Sequence, residues 1–546
     1  MRRKKHFCHY FSKMKRNFVY ESSLEETTGL PIIFDFLSIK EKIQFSWTNN
    51  KMYIYFLKNQ LKNIYVKSIP HRGQDYVRKV SITTKDLSIL KNEAILAQLT
   101  HFNLEYNAVI ITNTDDLQDA FNKTNKLLEL QIGGCQGSKK LLFPLHLKKL
   151  TLGSGFNQDI ELPNSLTYFN SSRIFAYPLE LVPTLQSIYL KWIFSPKNYE
   201  QVVTMRNCDK FQLPENITEL NLGATNPVID RFPESIRYLD LGKNFNQEFK
   251  EFPKKLKSLN LGKYKLPLPK LNNELKTLST SISNCTITEF PKSLEEIDFG
   301  MCWNHPIEKN GVSLLPDSLK MLTLSRGYSQ LFGMLPSSLT ILKIRNSMTL
   351  QCFMNGQNAY QKLQELYLET YTFGDIDINL KSITPNLQTI DIASRTSIFN
   401  VQLPESLKNA YFYVESIFNV NLYHLINLKI LCIKVDKWRD LEFPKNLEML
   451  NICIDENIEE KAEITLPTSL VSFELESDQP PFIHEFPVNL EKLSLRVWQW
   501  TREIKNLPSN LKSFKFTSQT TTQSKFDLPK TLQCISIDVP NFKLEQ

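Results

Sequence analysis

The sequence predicts a solenoid: a stack of short coils with a parallel sheet on one face and mostly extended or turn structure on the other. Three observations carry this. The pattern Leu/Phe-Pro-x-x-Leu/Ile-x-x-apolar-x-apolar occurs fourteen times, from Phe143-Pro144-x-x-Leu147-x-x-Leu150-x-Leu152 to Leu528-Pro529-x-x-Leu532-x-x-Ile535-x-Ile537. Most copies lie 19–25 residues apart, a period too short for one coil to bury a core by itself, so neighbours must stack. The proline in every copy lacks an amide donor and bars a helix. It therefore lies outside the sheet ladder and leaves the rest of the coil extended or turned.

In chain order, residues 1–29 are a basic head. Arg2, Arg3, Lys4, Lys5, Lys13, Lys15 and Arg16 carry +7 with no acid before Glu21, against +8 (65 − 57) for the whole chain. The rest is nearly neutral, which gives no basic groove for nucleic acid; the head reads as a solvated, frayed tail. Residues 30–68 differ. Apolar residues at 33, 36, 37, 43, 47, 54, 57 and 61 suit short amphipathic helices, and Ser38 before Glu41 fits a capping box. The array is expected from about residue 75 to 540, strong from about 130. Its early coils are Val77-x-x-Val80-x-Ile82, Leu99-x-x-Phe102-x-Leu104 and Leu127-x-x-Leu130-x-Ile132.

Within the strong array, Ser171 and Ala410 put something small at an apolar position. The copies at Pro183 and Pro385 are one residue short to their Leu, the one at Pro269 is poor, and those at Leu363 and Leu428 lack the proline. Strand alternation points two apolar side chains of each copy inward and the residue between them outward. Thus Leu239 and Leu241 are expected buried and Asp240 exposed. Gly153, Gly223, Gly242, Gly262 and Gly300 follow strands and suit corners with positive φ. After some strands an aromatic-Asn pair is expected to plug the core and start an asparagine ladder: Phe156-Asn157, Phe245-Asn246 and Trp303-Asn304.

These residues resemble the FNIP repeat, a relative of the leucine-rich repeat. The resemblance lies in Phe156-Asn157, Phe245-Asn246, Trp303-Asn304-His305-Pro306 and Phe399-Asn400, each with the Leu/Phe-Pro-x-x-Leu signature, over residues 130–540. Only Pro306 keeps the proline of the Phe-Asn-Ile-Pro element. The expected fold is thus a leucine-rich-repeat-like solenoid of ~20-residue coils behind a small helical, F-box-like module. Leu30-Pro31, Leu37-Ser38, Glu41-Lys42-Ile43, Phe45-Ser46 and Asn49-Asn50-Lys51-x-Tyr53 resemble the frame of the F-box, which docks on the Skp1 adaptor of cullin ubiquitin ligases. The gap from Pro31 to Leu37 is shorter than usual, and an acidic residue is missing after the proline. The resemblance implies docking through Leu30, Pro31, Ile33, Phe36, Leu37 and Ile43.

No catalytic, cofactor or metal motif emerges. His6-x-Cys8-His9 has no second cluster, and Gly133-Gly134-Cys135-Gln136-Gly137 lacks a Gly-Lys-Ser/Thr ending and reads as a corner turn. Nine cysteines without a C-x-x-C spacing read as small hydrophobes in a reducing compartment. With no secretory stretch and no run near the length of a membrane span, the expected address is cytosol or nucleus. The expectation is a non-enzymatic recognition subunit that presents a bound protein to a ligase, or a plain interaction scaffold without that link. The candidate partner site is the outward row of the sheet, where Tyr367 and Tyr411 flank Asp391 as an aromatic hot spot.

Overall fold

The computed structural model describes residues 65–66, 81–84, 96, 99–104, 111, 114–137, 139–171, 179–190, 213–355, 359–370, 379–418, 420–436, 441–455, 463–479, 481–499, 504, 507–519 and 526–539. The head, the capping box and all six proposed docking residues lie outside these. The chain forms two compact units. The first comprises residues 1–185 and 191–205, the second 186–190 and 206–546.

In the first unit the strands Ser81–Thr84, His101–Leu104, Glu129–Cys135, Lys149–Phe156 and Tyr168–Asn170 pair in parallel. Tyr65–Val66 adds an antiparallel strand beside the first, so the end of the segment read as helical is extended. Ile82 pairs with Phe102, whereas the sequence pattern puts Val80 there. The slip is two residues, and a shift of two keeps the same side chains inward, so alternation alone does not distinguish the registers. Gly133 and Gly134 lie within the strand Glu129–Cys135, beside a register shift, and not at a corner. Gly153 is likewise inside a strand: a Cβ there would come 2.5 Å from the Gly133 carbonyl oxygen, so close backbone packing accounts for this glycine. A helix, α1 (Thr114–Asn122), buries Leu117, Ala120 and Phe121 and interrupts the turn-only side expected from the prolines, which begin only after it.

In the second unit an unbroken parallel ladder of seventeen strands runs from Ser187–Tyr189 to Cys534–Asp538 among the described residues. This is the leucine-rich-repeat-like solenoid. Leu220, Leu239, Leu259, Leu278, Ile297, Leu322, Leu342, Leu366 and Ile390 occupy one inward column in register. Leu239 and Leu241 are fully buried. The column continues through Ala410, also fully buried, with the large Phe412 two residues on. Two short helices, α2 (Ser347–Asn355) and α3 (Leu380–Ile383), lie in the connections between ladder strands.

Each Pro-x-x-Leu is a turn. In all fourteen copies the Leu or Ile amide donates to the proline carbonyl, for instance Leu147 to Pro144 at 3.0 Å and Leu447 to Pro444 at 3.4 Å. The odd copies obey the same geometry. Leu185 and Leu387 donate to Val182 and Thr384, which puts Pro183 and Pro385 at the second turn position, where their fixed φ fits equally well. In the poor copy the turn starts at Asn272, with Leu275 donating to it, and Pro269 plays no part. Two residues after most prolines stands Ser, Thr or Asn, whose side chain donates to a carbonyl of the preceding coil. Examples are Ser235 to Ile217 at 2.6 Å, Ser318 to Leu294 at 2.6 Å and Ser406 to Leu387 at 2.7 Å, with Asn446 to Ile426 at 3.0 Å as the amide version.

The corners behave as expected at Gly223, Gly242, Gly262 and Gly300, all at positive φ. At Gly242 (φ 71°) a Cβ would sit 2.0 Å from the Gly223 carbonyl oxygen. The plugs are buried: Phe156, Phe245 and Trp303 are at most 1% exposed. Trp303 stacks between Phe299 at 3.8 Å and Tyr328 at 6.0 Å. The asparagine ladder forms at Asn246 and Asn304 and recruits two further residues. Asn226 accepts from the Asn246 amide and Asn246 from Lys265, at 2.8 and 3.0 Å; Asn284 accepts from Asn304 and Asn304 from Ser329, both at 2.9 Å. The Asn157 backbone amide donates to the Cys135 carbonyl.

Candidate protein-interaction face

The outward row is in register across the second unit: Asn221, Asp240, Asn260, Ser279, Asp298, Thr323, Lys343, Tyr367, Asp391, Tyr411, Cys432, Asn451 and Glu474 pair in succession. Ser279 belongs to the row although its coil lacks the proline signature.

The row has two characters. At 221, 240, 260 and 298 the side chain folds back on its own corner. Its Oδ1 accepts from the glycine amide two residues on, at 2.7 to 3.0 Å, and so caps the positive-φ turn. The Asn221 amide also donates to Asp240 Oδ2 at 2.9 Å. Asp240 is therefore half-buried and bonded on both sides, not exposed as alternation suggested. Burial holds its carboxyl above the usual range, against the hydrogen bonds from Gly242 and Asn260. These positions are corner supports.

Further along, the sheet widens. Ladder strands of three residues up to Met321–Thr323 give way to Glu365–Glu369 and Thr389–Ala393 with five and to six from Asn409–Val414 through Ser513–Ser518. The signal was in the sequence as an extra inward apolar residue two places on: Val414, Val435, Ile454 and Val497, all buried. Widening adds a third outward column that the sequence reading missed, Glu369, Ala393, Tyr413, Lys434, Cys453 and Glu476 in register.

Tyr367, Asp391 and Tyr411 stand on three consecutive strands of this wide region, in one row. The Lys343 ammonium lies over the Tyr367 ring, 4.8 Å from its centre. The Tyr367 hydroxyl donates to Glu365 at 2.8 Å. Burial, then that carboxylate, push Tyr367 up to about 12. Glu369 faces Arg345 at 3.4 Å and Arg326 at 3.9 Å. Burial, then repulsion by Glu369, raises the Asp391 carboxyl, and Lys343 offsets part of this. Beside the row lies Tyr413, exposed at 41%; Met449, 40% exposed, stands two strands beyond Tyr411. The six proposed adaptor-docking residues, Leu30 to Ile43, are outside the described part of the chain.

Among known proteins, no curated sequence matches the chain. In solved structures the chain resembles a circular leucine-rich-repeat protein, CroV588 (23% identity, TM-score 0.44), covering 82% of this chain and 64% of that one, so it spans less than two thirds of that protein. It also resembles YopM from Yersinia enterocolitica (20% identity, TM-score 0.43, covering 76% of this chain and 88% of that one). A third likeness is to TLR13 in a complex with ssRNA13 (15% identity, TM-score 0.44, covering 84% and 73%). Residues 226–264, the stretch that holds Leu239, Gly242, Phe245 and the Asn226–Asn246 rung, match the FNIP Repeat.

Proposed function

We propose that the chain is a protein-recognition scaffold with no chemistry of its own, and that a protein partner lies on the widened sheet with Tyr367, Asp391 and Tyr411 at its centre. One observation supports this most: the aromatic-acid row sits on the widened stretch, beside exposed Tyr413, whereas the Asn/Asp row before it is used up by corner capping. Rigid aromatics at the middle of a flat face are the usual anchors of interfaces. Panning a displayed random-peptide library on the full chain tests this. Peptides enriched on the native protein should be lost on a Tyr367→Ala/Tyr411→Ala variant that keeps its melting temperature. Equal enrichment on both would refute the reading.

The finer reading is that residues 30–68 dock a Skp1-type adaptor, through Leu30, Pro31, Ile33, Phe36, Leu37 and Ile43, and so bring the bound protein to a ubiquitin ligase in cytosol or nucleus. Its support is the sequence frame alone. Capture of the full chain by recombinant adaptor, abolished by Leu30→Ala with Pro31→Ala at unchanged melting temperature, is the expected result. Failure of the intact chain to bind leaves the scaffold without a ligase link.

A further inference from the structure

Resting on the sheet-face reading above, we infer that the Tyr367–Asp391–Tyr411 row is a socket for one lysine or arginine side chain of the protein partner. The carboxylate would pair with the cation while the two rings flank it. Asp391 is half-buried, yet among the described residues no donor bonds to it and no cation lies within ion-pair distance, unlike the outward Asp240 with its hydrogen bonds or Glu369 with its two arginines. Its neighbours in the row are tyrosines on both sides. Strands two apart in a sheet are separated by about 10 Å, and a cation acts on an aromatic ring within about 6 Å of its centre. A cation seated over Asp391 is therefore within reach of both rings at once. The protein already shows the mode: Lys343 stacks on Tyr367 from the neighbouring strand. Glu365 adds negative charge beside the row, while Glu369 is met by its two arginines; burial first, then Glu369, raises the Asp391 carboxyl against Lys343, and a guest cation seated on it would relieve that. A guanidinium, planar and able to stack while donating two parallel hydrogen bonds, fits this better than an ammonium.

The test uses the full chain and two small probes of equal shape, N-acetylarginine methylamide and N-acetylcitrulline methylamide, titrated by saturation-transfer NMR. The charged probe should bind about tenfold more tightly than the neutral one, combining an ion pair with cation–π contact. That preference should collapse to about one in Asp391→Asn, whose side chain has the same shape, and fall several-fold in Tyr411→Leu. Circular dichroism confirms that both variants are folded. Equal binding of the two probes, or a preference that survives Asp391→Asn, overturns the socket. If the preference is absent while displayed peptides still depend on Tyr367 and Tyr411, only the socket fails and the interaction face stands; if those peptides also ignore the tyrosines, both fail.

Discussion

At the scale of single residues, Asp240 and Asp391 occupy the same row and have opposite surroundings. Asp240 accepts from the Gly242 amide at 2.8 Å and from Asn221 at 2.9 Å. Asp240→Ala leaves a part-buried corner amide without its acceptor and should cost about 1–3 kcal/mol in chemical unfolding, well above a typical surface change. Among the described residues no donor bonds to Asp391. Its folded carboxyl is raised, first by burial, so the native state disfavours the charge. The linkage sign follows: this penalty is absent below the unfolded carboxylate range and grows as pH rises through the folded value. Asp391→Asn should therefore melt at or above the wild-type temperature at pH 7, with the difference vanishing near pH 3. A lower melting temperature at pH 7 would show that the carboxylate is structural. Gly242→Ala would force a Cβ to within 2.0 Å of the Gly223 carbonyl oxygen at φ 71°, so that corner must move and the variant should be strongly destabilised.

At the scale of the coil, three devices link each turn to the one before: the strand ladder, the hydroxyl or amide after the proline, and the aromatic plug. They differ in strength. Ser318→Ala removes hydrogen bonds from a partly exposed hydroxyl to Leu294 and Lys292 and should cost about 1 kcal/mol. Trp303→Ala empties a site packed by Phe299 and Tyr328 and should cost about 3–5 kcal/mol. Fluorescence-monitored denaturation of the first, and calorimetry of the second, which lacks that tryptophan, would rank them. Similar costs would mean that the plug relaxes into its cavity. Charges along the sheet border add a weaker fourth link. Glu295, between Lys276 and Lys320, is lowered to about 2 by their hydrogen bonds. Its contribution is present above the ordinary carboxylate range and is lost as pH falls toward 2, and its exposure to solvent and salt keeps it small.

At the scale of the whole chain, a solenoid behaves as a sum of coils and their nearest-neighbour interfaces. Removing residues 1–20 takes away charge and no coil, so the thermal melt should be unchanged; a large drop would mean that the head packs on the array. Removing residues from 507 onward deletes the coils that begin at Pro508 and Pro529. It should lower the melting temperature modestly while residues 213–455 keep their protease resistance, since no coil there loses a neighbour. Loss of protection across that stretch would show one cooperative block in place of a chain of units.

Much of this architecture is written locally. The turn, the inward column and the outward row of the second unit are each set by residues within a single coil, and the period repeats them until the parallel register follows. Even the widening of the sheet is present as the additional apolar residues Val414, Val435, Ile454 and Val497. What needed the tertiary structure is whatever depends on the preceding coil. The register of the Ser81–Thr84 strand is one case, since a slip of two residues preserves the pattern. The start of the turn at Asn272 is another, set by stacking when proline is displaced. So is the division of the outward row into corner caps and an open acid. Asp240 and Asp391 look alike in sequence, each between two strand apolars. One is followed by a glycine corner and flanked by asparagines, the other by tyrosines on the neighbouring strands, and those neighbours lie about 20 residues away in the chain and one strand away in space.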